Sequence, residues 1–382
     1  MERKLNIAFF TDSYKPNNDG VVVSIELLRK NLPKHNALVK LIVCPKKYYE
    51  KEKVEIVDGT KIIKIWGFSL PFYKDYSIAF ISHSSAMELL KKEKIDILHN
   101  HGLGFTALNS VIAAKKIGIK SLITFHTNVL EATHYLGIFE KPIKKILRFY
   151  LSYLLKLHDA VVVPSKKIKK LVNELGIRKN VFIIPTGVDL NDFKNIENSE
   201  IEEKLKKLKK DNVVLLFVGR IVKEKNIDFL IECFYEAKKR KNEKLKDMQL
   251  WIVGNGPYLN ELKNKHGNNN SIKFFGYVNR NELTYYYRLA DVLVFPSLFD
   301  TQGIAVFEAI AHKLPVVALK NTSAEEIAKK YGAIFKGKKD FLKAIKKAIK
   351  KRFEVPDFIY IENTCKNYMK VYKKILKESK KE

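Results

Sequence analysis

A regular alternation along the chain constrains its fold more than any other feature. Short apolar runs, most of them β-branched, are separated by longer amphipathic stretches rich in lysine. In the first half the runs are Leu5–Phe10, Leu38–Cys44, Ile62–Trp66, Ile95–His99, Ser121–His126, Ala160–Pro164 and Val181–Pro185. In the second half they are Val213–Val218, Leu250–Val253, Ile272–Phe275, Asp291–Pro296 and Pro315–Leu319. Nearly continuous apolar character over so few residues suits parallel strands buried on both faces. The stretches between, such as Ser24–Asn31, Ser84–Lys92 and Ile227–Lys239, read as helices. Strand–helix alternation of this kind predicts an α/β protein with doubly wound parallel sheets and right-handed crossovers.

At 382 residues the chain is too long for one ordinary domain. The alternation breaks once, after "IIPTGVDLNDF", in the charged stretch "KNIENSEIEEKLKKLKKDN". That break predicts two Rossmann-like domains, 1–195 and 196–352, whose strands end at a shared cleft. Residues 353–382 read as a helical segment packing back on the N-terminal domain. In open α/β sheets ligands bind beyond the carboxyl ends of the strands, so functional residues are sought there.

The formal charge is +29, and the excess is shared evenly between the two halves. Nucleic acid, an anionic membrane surface and a lysine-rich proteome would each fit it. Glutamine occurs only at Gln249 and Gln302, a bias that fits a hyperthermophile or simply codon composition. No helix-turn-helix, zinc-ligand spacing or aromatic-rich sheet motif accompanies the charge, so a basic nucleic-acid-binding protein is the disfavoured alternative. Three widely spaced cysteines, Cys44, Cys233 and Cys365, suggest a reducing cytoplasm rather than a disulfide framework. No stretch approaches the roughly 18 apolar residues of a membrane span.

The stretch "FDTQGIAVFEAIAHKLPVVA" sets Asp300 and Glu308 on either side of Gly303, between a strand and the helix that follows. A helix N-terminus offers unpaired N–H groups and partial positive charge, which suit a phosphate. Carboxylates suit the paired hydroxyls of a sugar. The combination describes a sugar nucleotide, while the plain alternative is a dipole-favoured Asp and a buried, paired Glu. In "LLFVGRIVKEKNIDFL", Arg220 and Lys225 flank another loop after a strand and make a natural diphosphate clamp. In "FFTDSYKPNNDGVVVSIELL", Gly20 opens a third helix and either admits a phosphate or is an ordinary turn glycine; the loop is not GxGxxG. No P-loop appears. His126 ends a strand in "SLITFHTNVLEATHYLGIF", where it either meets a substrate or is structural, with His134 a weaker candidate. The "HNH" of His99–His101 lacks the further ligands a metal needs, and there is no HExxH and no Asp-x-Asp triplet.

Taken together, "TDSYKPNNDGV", "TFHT", "IPTGVD", "GRIVKEKNID", "IVGNGP" and "DTQGIAVFEAIAHKLPVVA" resemble the retaining glycosyltransferases of family four, which have the two-domain GT-B fold. The "TQG" and "HTNVLEATHY" stretches are most similar to diacylglycerol glucosyltransferases. The resemblance implies transfer of a hexose, with retention and without a metal, from a nucleotide-diphosphate sugar to a hydroxyl of a lipid or sugar acceptor. It implies that Glu308 holds the ribose, that Asp300 holds hydroxyls of the sugar, and that Arg220 and Lys225 neutralise the diphosphate. Backbone at Gly20, Gly303 and Ile304 is implied to approach the phosphates or the sugar, and His126 the sugar near the reacting carbon. No cofactor is implied. The chain departs from the pattern at Asp300, where Glu is usual, and at Lys313, where glycine is usual. A soluble acceptor and a sugar-nucleotide epimerase are the enzyme alternatives.

The segment "KPIKKILRFYLSYLLKLH" gathers Lys141, Lys144, Lys145 and Arg148 beside a stripe of Ile143, Ile146, Leu147, Tyr150, Leu151, Leu154 and Leu155. It reads either as an interfacial helix on an anionic membrane or as a helix packed on the sheet. The expected location is cytoplasmic, peripheral on the inner face of the cell membrane.

Overall fold

A computed structural model describes residues 3–17, 19–46, 54–70, 73–131, 140–193, 199–240 and 247–378. It divides into two compact units. One comprises Met1–Gly187 and Ile361–Glu382, the other Val188–Tyr360. The partition thus falls at Gly187 rather than at 195, because the chain already pairs within the second unit at Val188, whose N–H donates to Ile359 O at 2.7 Å. The charged stretch taken for a linker contains a helix, Ser199–Lys209, whose Leu205 is buried in the core of the second unit.

The strands of the first unit are β1 (Leu5–Phe10), β2 (Ala37–Pro45), β3 (Val54–Val57), β4 (Thr60–Ile65), β5 (Gly67–Leu70), β6 (Tyr73–Ala79), β7 (Ile97–Asn100), β8 (Lys120–Thr124), β9 (Ala160–Val163) and β10 (Val181–Ile183). Eight of them form one sheet in the order β10-β9-β8-β7-β1-β2-β4-β3. All its pairings are parallel except β3 on β4, and β5 and β6 form a separate antiparallel pair. The second unit carries β11 (Val213–Val218), β12 (Met248–Val253), β13 (Ile272–Gly276), β14 (Val292–Phe295), β15 (Val316–Leu319) and β16 (Gly332–Phe335). Its sheet is wholly parallel in the order β13-β12-β11-β14-β15-β16.

Alternate residues of each central strand feed opposite cores, which explains the unbroken apolar runs. Ala8 and Phe10 of β1 pack on one side of the first sheet, Ile7 and Phe9 on the other. Leu215 and Phe217 of β11 likewise oppose Val214 and Leu216. The C-terminal helix, Ile361–Glu378, buries Tyr368, Tyr372 and Ile375 in the core under β1. Residues 353–360 stay with the second unit.

The helix read over Lys141–His158 spans Glu140–Leu157. Its apolar residues are not one stripe. Leu151, Leu154 and Leu155 are buried and Leu147 and Tyr150 pack against the same core, whereas Ile146 lies 67 % exposed. Phe149 and Tyr153, outside the stripe read from the sequence, are 78 % and 48 % exposed. No helix among the described residues is long and apolar enough to cross a membrane.

Candidate functional site

In each sheet the strand order reverses once, and the crevice at that reversal is where ligands bind in doubly wound folds. In the second unit the reversal lies between β11 and β14. Gly219 and Arg220 leave the end of β11, and Pro296 to Gly303 follow β14. The two loops are tied together. Asn226, in the left-handed conformation at φ 59°, opens the helix Ile227–Lys239 and donates its side-chain N–H to Pro296 O at 3.3 Å. Lys225 Nζ lies 2.5 Å from Asp300 Oδ1, with both side chains about one-fifth exposed. The loop after β12 approaches just as closely: a Cβ at Gly254 would meet Gly219 O at 1.8 Å.

Gly303 has two reasons to be glycine. Its φ is +79°, and a Cβ there would meet the Phe295 ring at 2.6 Å. It caps the helix Ile304–Ala311 with no side-chain hydrogen bond, so Ile304 begins a helix whose N-terminal N–H groups no capping side chain occupies. One turn on, Glu308 is buried. Its Oε2 accepts from the Tyr287 hydroxyl at 2.7 Å, and its Oε1 lies 2.7 Å from Arg280 Nη1. Arg280 also reaches Asp192 at 3.2 Å and sits 5.3 Å above the Phe193 ring. Burial works against the Arg280 cation, but Glu308 and Asp192 outweigh it and raise its pKa. Burial and the Glu308 carboxylate both push the Tyr287 hydroxyl well up. His312 stacks on Tyr287 and bonds Glu308 O at 2.8 Å. Lys313, the second departure from the family pattern, holds φ 59° at the end of this helix. That is a position glycine takes without strain, and a lysine there costs about 1 kcal/mol.

Among the described residues of the second unit, four buried side-chain atoms lack a hydrogen-bond partner, Arg280 Nη2, Ser297 Oγ, Asp300 Oδ2 and Ser323 Oγ, while Glu308 Oε1 has only the ion pair with Arg280. Ser297 and Asp300 follow β14, Ser323 follows β15, Arg280 follows β13, and Glu308 is one turn into the helix after Gly303. Buried polar atoms without partners are rare and costly, so those at Ser297, Asp300 and Ser323, beyond the adjacent strands β14 and β15, mark a place prepared for an outside polar group. Asp300 and Glu308 are legible in the sequence, whereas Arg280, Tyr287, Ser297 and Ser323 are not, and only the position of Arg280, Ser297 and Ser323 beyond strands marks them.

In the first unit the reversal lies at β1 and β7. Gly20 is the first residue of the helix Gly20–Asn31, but the helix start is already partly occupied. Asp19 Oδ1 accepts from Val21 N at 2.8 Å and Val22 N at 3.0 Å, and Ser13 Oγ donates to Asp19 at 2.6 Å. Asp12 Oδ2 accepts from Leu103 N and Gly104 N at 2.8 and 2.9 Å. His126 lies just past β8, with Nε2 2.9 Å from His101 Nδ1. Burial pushes the His126 imidazole down to about 4. Both rings line a small cavity of about 10 Å³ with Asp12, Ser13, Val21, Gly102, Leu103 and Thr127. His134 lies outside the described residues. Among the described residues, no group of three His, Cys, Asp or Glu side chains is placed to hold a metal ion.

Two family profiles divide the chain between them: Glycosyltransferase Family 4 over residues 18–192 and Glycosyl transferases group 1 over residues 197–365. An alpha-monoglucosyldiacylglycerol synthase of Streptococcus pneumoniae is 30 % identical over 90 % of this chain and 78 % of its own length. A protein of the same name from Acholeplasma laidlawii is 29 % identical over 82 % of this chain and 80 % of its own. Among solved structures, the sucrose-phosphate synthase of Thermosynechococcus elongatus superposes with a TM-score of 0.67 at 17 % identity, covering 97 % of this chain and 95 % of that one. An Anabaena protein solved in complex with UDP-glucose gives 0.65 at 14 %, covering 98 % and 100 %. These two share the fold.

Proposed function

This chain belongs to the group 1 and family 4 glycosyltransferases, and from that premise we propose that it moves a hexose from a nucleotide-diphosphate sugar to the hydroxyl of a membrane lipid. The observation that carries the reading is the set of unpartnered buried polar atoms, Ser297 Oγ, Asp300 Oδ2 and Ser323 Oγ, beyond the adjacent strands β14 and β15. Glu308 accepts the ribose hydroxyls and Asp300 those of the sugar. Arg220 and Lys225 take the diphosphate. The 2.5 Å contact between Lys225 and Asp300 suits these roles, because sugar and terminal phosphate are joined through one oxygen. Gly303 and Ile304 present backbone N–H groups to the same end of the donor. Gly20, beside the Asp19 carboxylate, meets sugar hydroxyls rather than phosphate, since a second anion at that helix start would be repelled.

Departure of the diphosphate takes the electron pair of the anomeric C–O bond and leaves an oxocarbenium-like sugar. The Arg220–Lys225 clamp and the helix N-terminus stabilise the charge that develops, without a metal. The acceptor oxygen bonds the anomeric carbon on the face just vacated, and its proton passes to the departing phosphate oxygen. Retention follows. The test is calorimetry of nucleotide sugars on Arg220→Ala and Lys225→Ala, where each variant is expected to lose about 1.5–3 kcal/mol of donor affinity. Unchanged affinity in both removes the clamp, and turnover abolished by a chelator and restored by Mg or Mn removes the metal-independent route.

The lipid acceptor is favoured by the outer side of the helix Glu140–Leu157. Ile146, Phe149 and Tyr153, three and seven residues apart, share one exposed side, bordered at helical spacing by Lys145 and Lys156. Exposed apolar groups beside cations suit an anionic bilayer, where each cation contributes about 1 kcal/mol that salt weakens. Ile146→Ser/Phe149→Ser is expected to abolish sedimentation with anionic vesicles and leave transfer to a detergent-solubilised acceptor intact. Equal sedimentation of both proteins would rule this surface out. Mass spectrometry of products from a mixture of lipids and nucleotide sugars distinguishes a lipid acceptor from a soluble one and from epimerisation.

A further inference from the structure

Of the nine histidines, His99, His101 and His158 are buried in the first unit, and the half-buried His126 lies against them. His101 and His126 stack with ring centres 5.2 Å apart and share the 2.9 Å contact between Nδ1 and Nε2. The His101 ring cannot turn over easily. Phe9 packs against it at 4.5 Å and His99 at 4.0 Å. His99 is itself fixed at both nitrogens, with Nδ1 2.9 Å from the Tyr372 hydroxyl and Nε2 2.7 Å from Thr124 Oγ1. Tyr368 bonds the same Thr124 oxygen at 3.0 Å, so the C-terminal helix braces the cluster. His101 Nε2, at the far side of the ring, is buried and has no hydrogen-bond partner.

Burial holds both imidazoles neutral at neutral pH. Two protons are then shared among four nitrogens, and the contact between the rings needs one N–H and one lone pair. If His126 donated, the proton of His101 would sit on Nε2 as a sealed N–H with no acceptor. If His101 donates from Nδ1, the sealed Nε2 carries only a lone pair. Orphaned N–H groups are the rarer and costlier of the two. We propose that His101 is a positioning residue: it donates from Nδ1 to His126 Nε2, fixes His126 as the Nδ1–H tautomer, and so makes His126 a hydrogen-bond donor to the substrate and not a base. The inference rests on the reading above that His126 meets the sugar. It also gives that reading a direction, because the acceptor's proton then has no imidazole to go to and passes to the leaving phosphate.

Nitrogen-15 NMR of the full chain at neutral pH tests the tautomer directly. His126 is assigned by its loss in His126→Gln, and His101 by its loss in His101→Asn. His126 is expected to show a protonated Nδ1 and a bare Nε2, and the reverse pattern overturns the proposal. His101→Asn keeps an N–H donor in the place of Nδ1 and is expected to hold kcat within about threefold, whereas His101→Asp offers an acceptor and is expected to lower kcat about tenfold at nearly unchanged donor KM. Equal losses in the two variants would make the role merely structural. Full turnover in His126→Ala would overturn the substrate contact alone, since the NMR pattern is read without any substrate.

Discussion

Arg280→Met is expected to destabilise the second unit by about 3 kcal/mol, because it leaves the Glu308 carboxylate buried without its cation. Glu308 is 3 % exposed, and the Arg280 guanidinium at 2.7 Å is its charged partner. The neutral hydrogen bond from Tyr287 remains and offsets only part of the cost. Arg280→Met/Glu308→Gln removes both charges and is expected to recover most of the loss. Urea unfolding followed with a probe confined to this unit measures both, since two compact units need not unfold together. A single variant within about 0.5 kcal/mol of the parent would show that Arg280 is not the partner that offsets burial of the Glu308 carboxylate.

Lowering the pH from 7 to 5 is expected to weaken the first unit by several kcal/mol. His126 and His158 are pushed down to about 4 by burial, and His99 and His101 well below their usual value. On unfolding each regains its ordinary affinity for protons. The unfolded chain therefore binds more protons across the window below about 6.5, so stability is full above that pH and falls as pH falls. Each imidazole that stays neutral in the fold contributes a loss of about 2 kcal/mol at pH 5. Glu26 does not confuse the measurement. Burial raises its pKa, but Arg29, Lys15 and Tyr14 bring it down to about 2, so its contribution is lost only below the ordinary carboxylate range. A urea midpoint for this unit that stays flat between pH 7 and 5 would mean that the cluster is hydrated or already charged.

The parts of this protein legible in the sequence were those set by local pattern. Unbroken β-branched runs mark strands that are apolar on both faces, and the central strands β1, β2, β11 and β14 fall on the runs read for them. Strand β3 was missed because Val54 and Ile56 face outward from an antiparallel edge and alternate with Glu55 and Val57. Strand β16, four residues long, follows directly on a helix with no break to announce it. The candidate site was legible where a residue's place is fixed by the strand just before it, as with Asp300 after β14 or Arg220 after β11.

The sequence by itself determined the α/β class, the doubly wound sheets and the family, because apolar period and motif spacing act over a few residues at a time. The tertiary structure alone decided which side chains answer one another. Arg280 reaches Glu308 across 28 positions of chain, His101 reaches His126 across 25, and Tyr372 reaches His99 across 273. It also divided the helix Glu140–Leu157 into a buried side and an exposed one, which a single apolar stripe could not separate. Such pairings are set by strand order and by which helix covers which face. No local pattern encodes those, because they depend on how the whole chain buries its apolar surface at once.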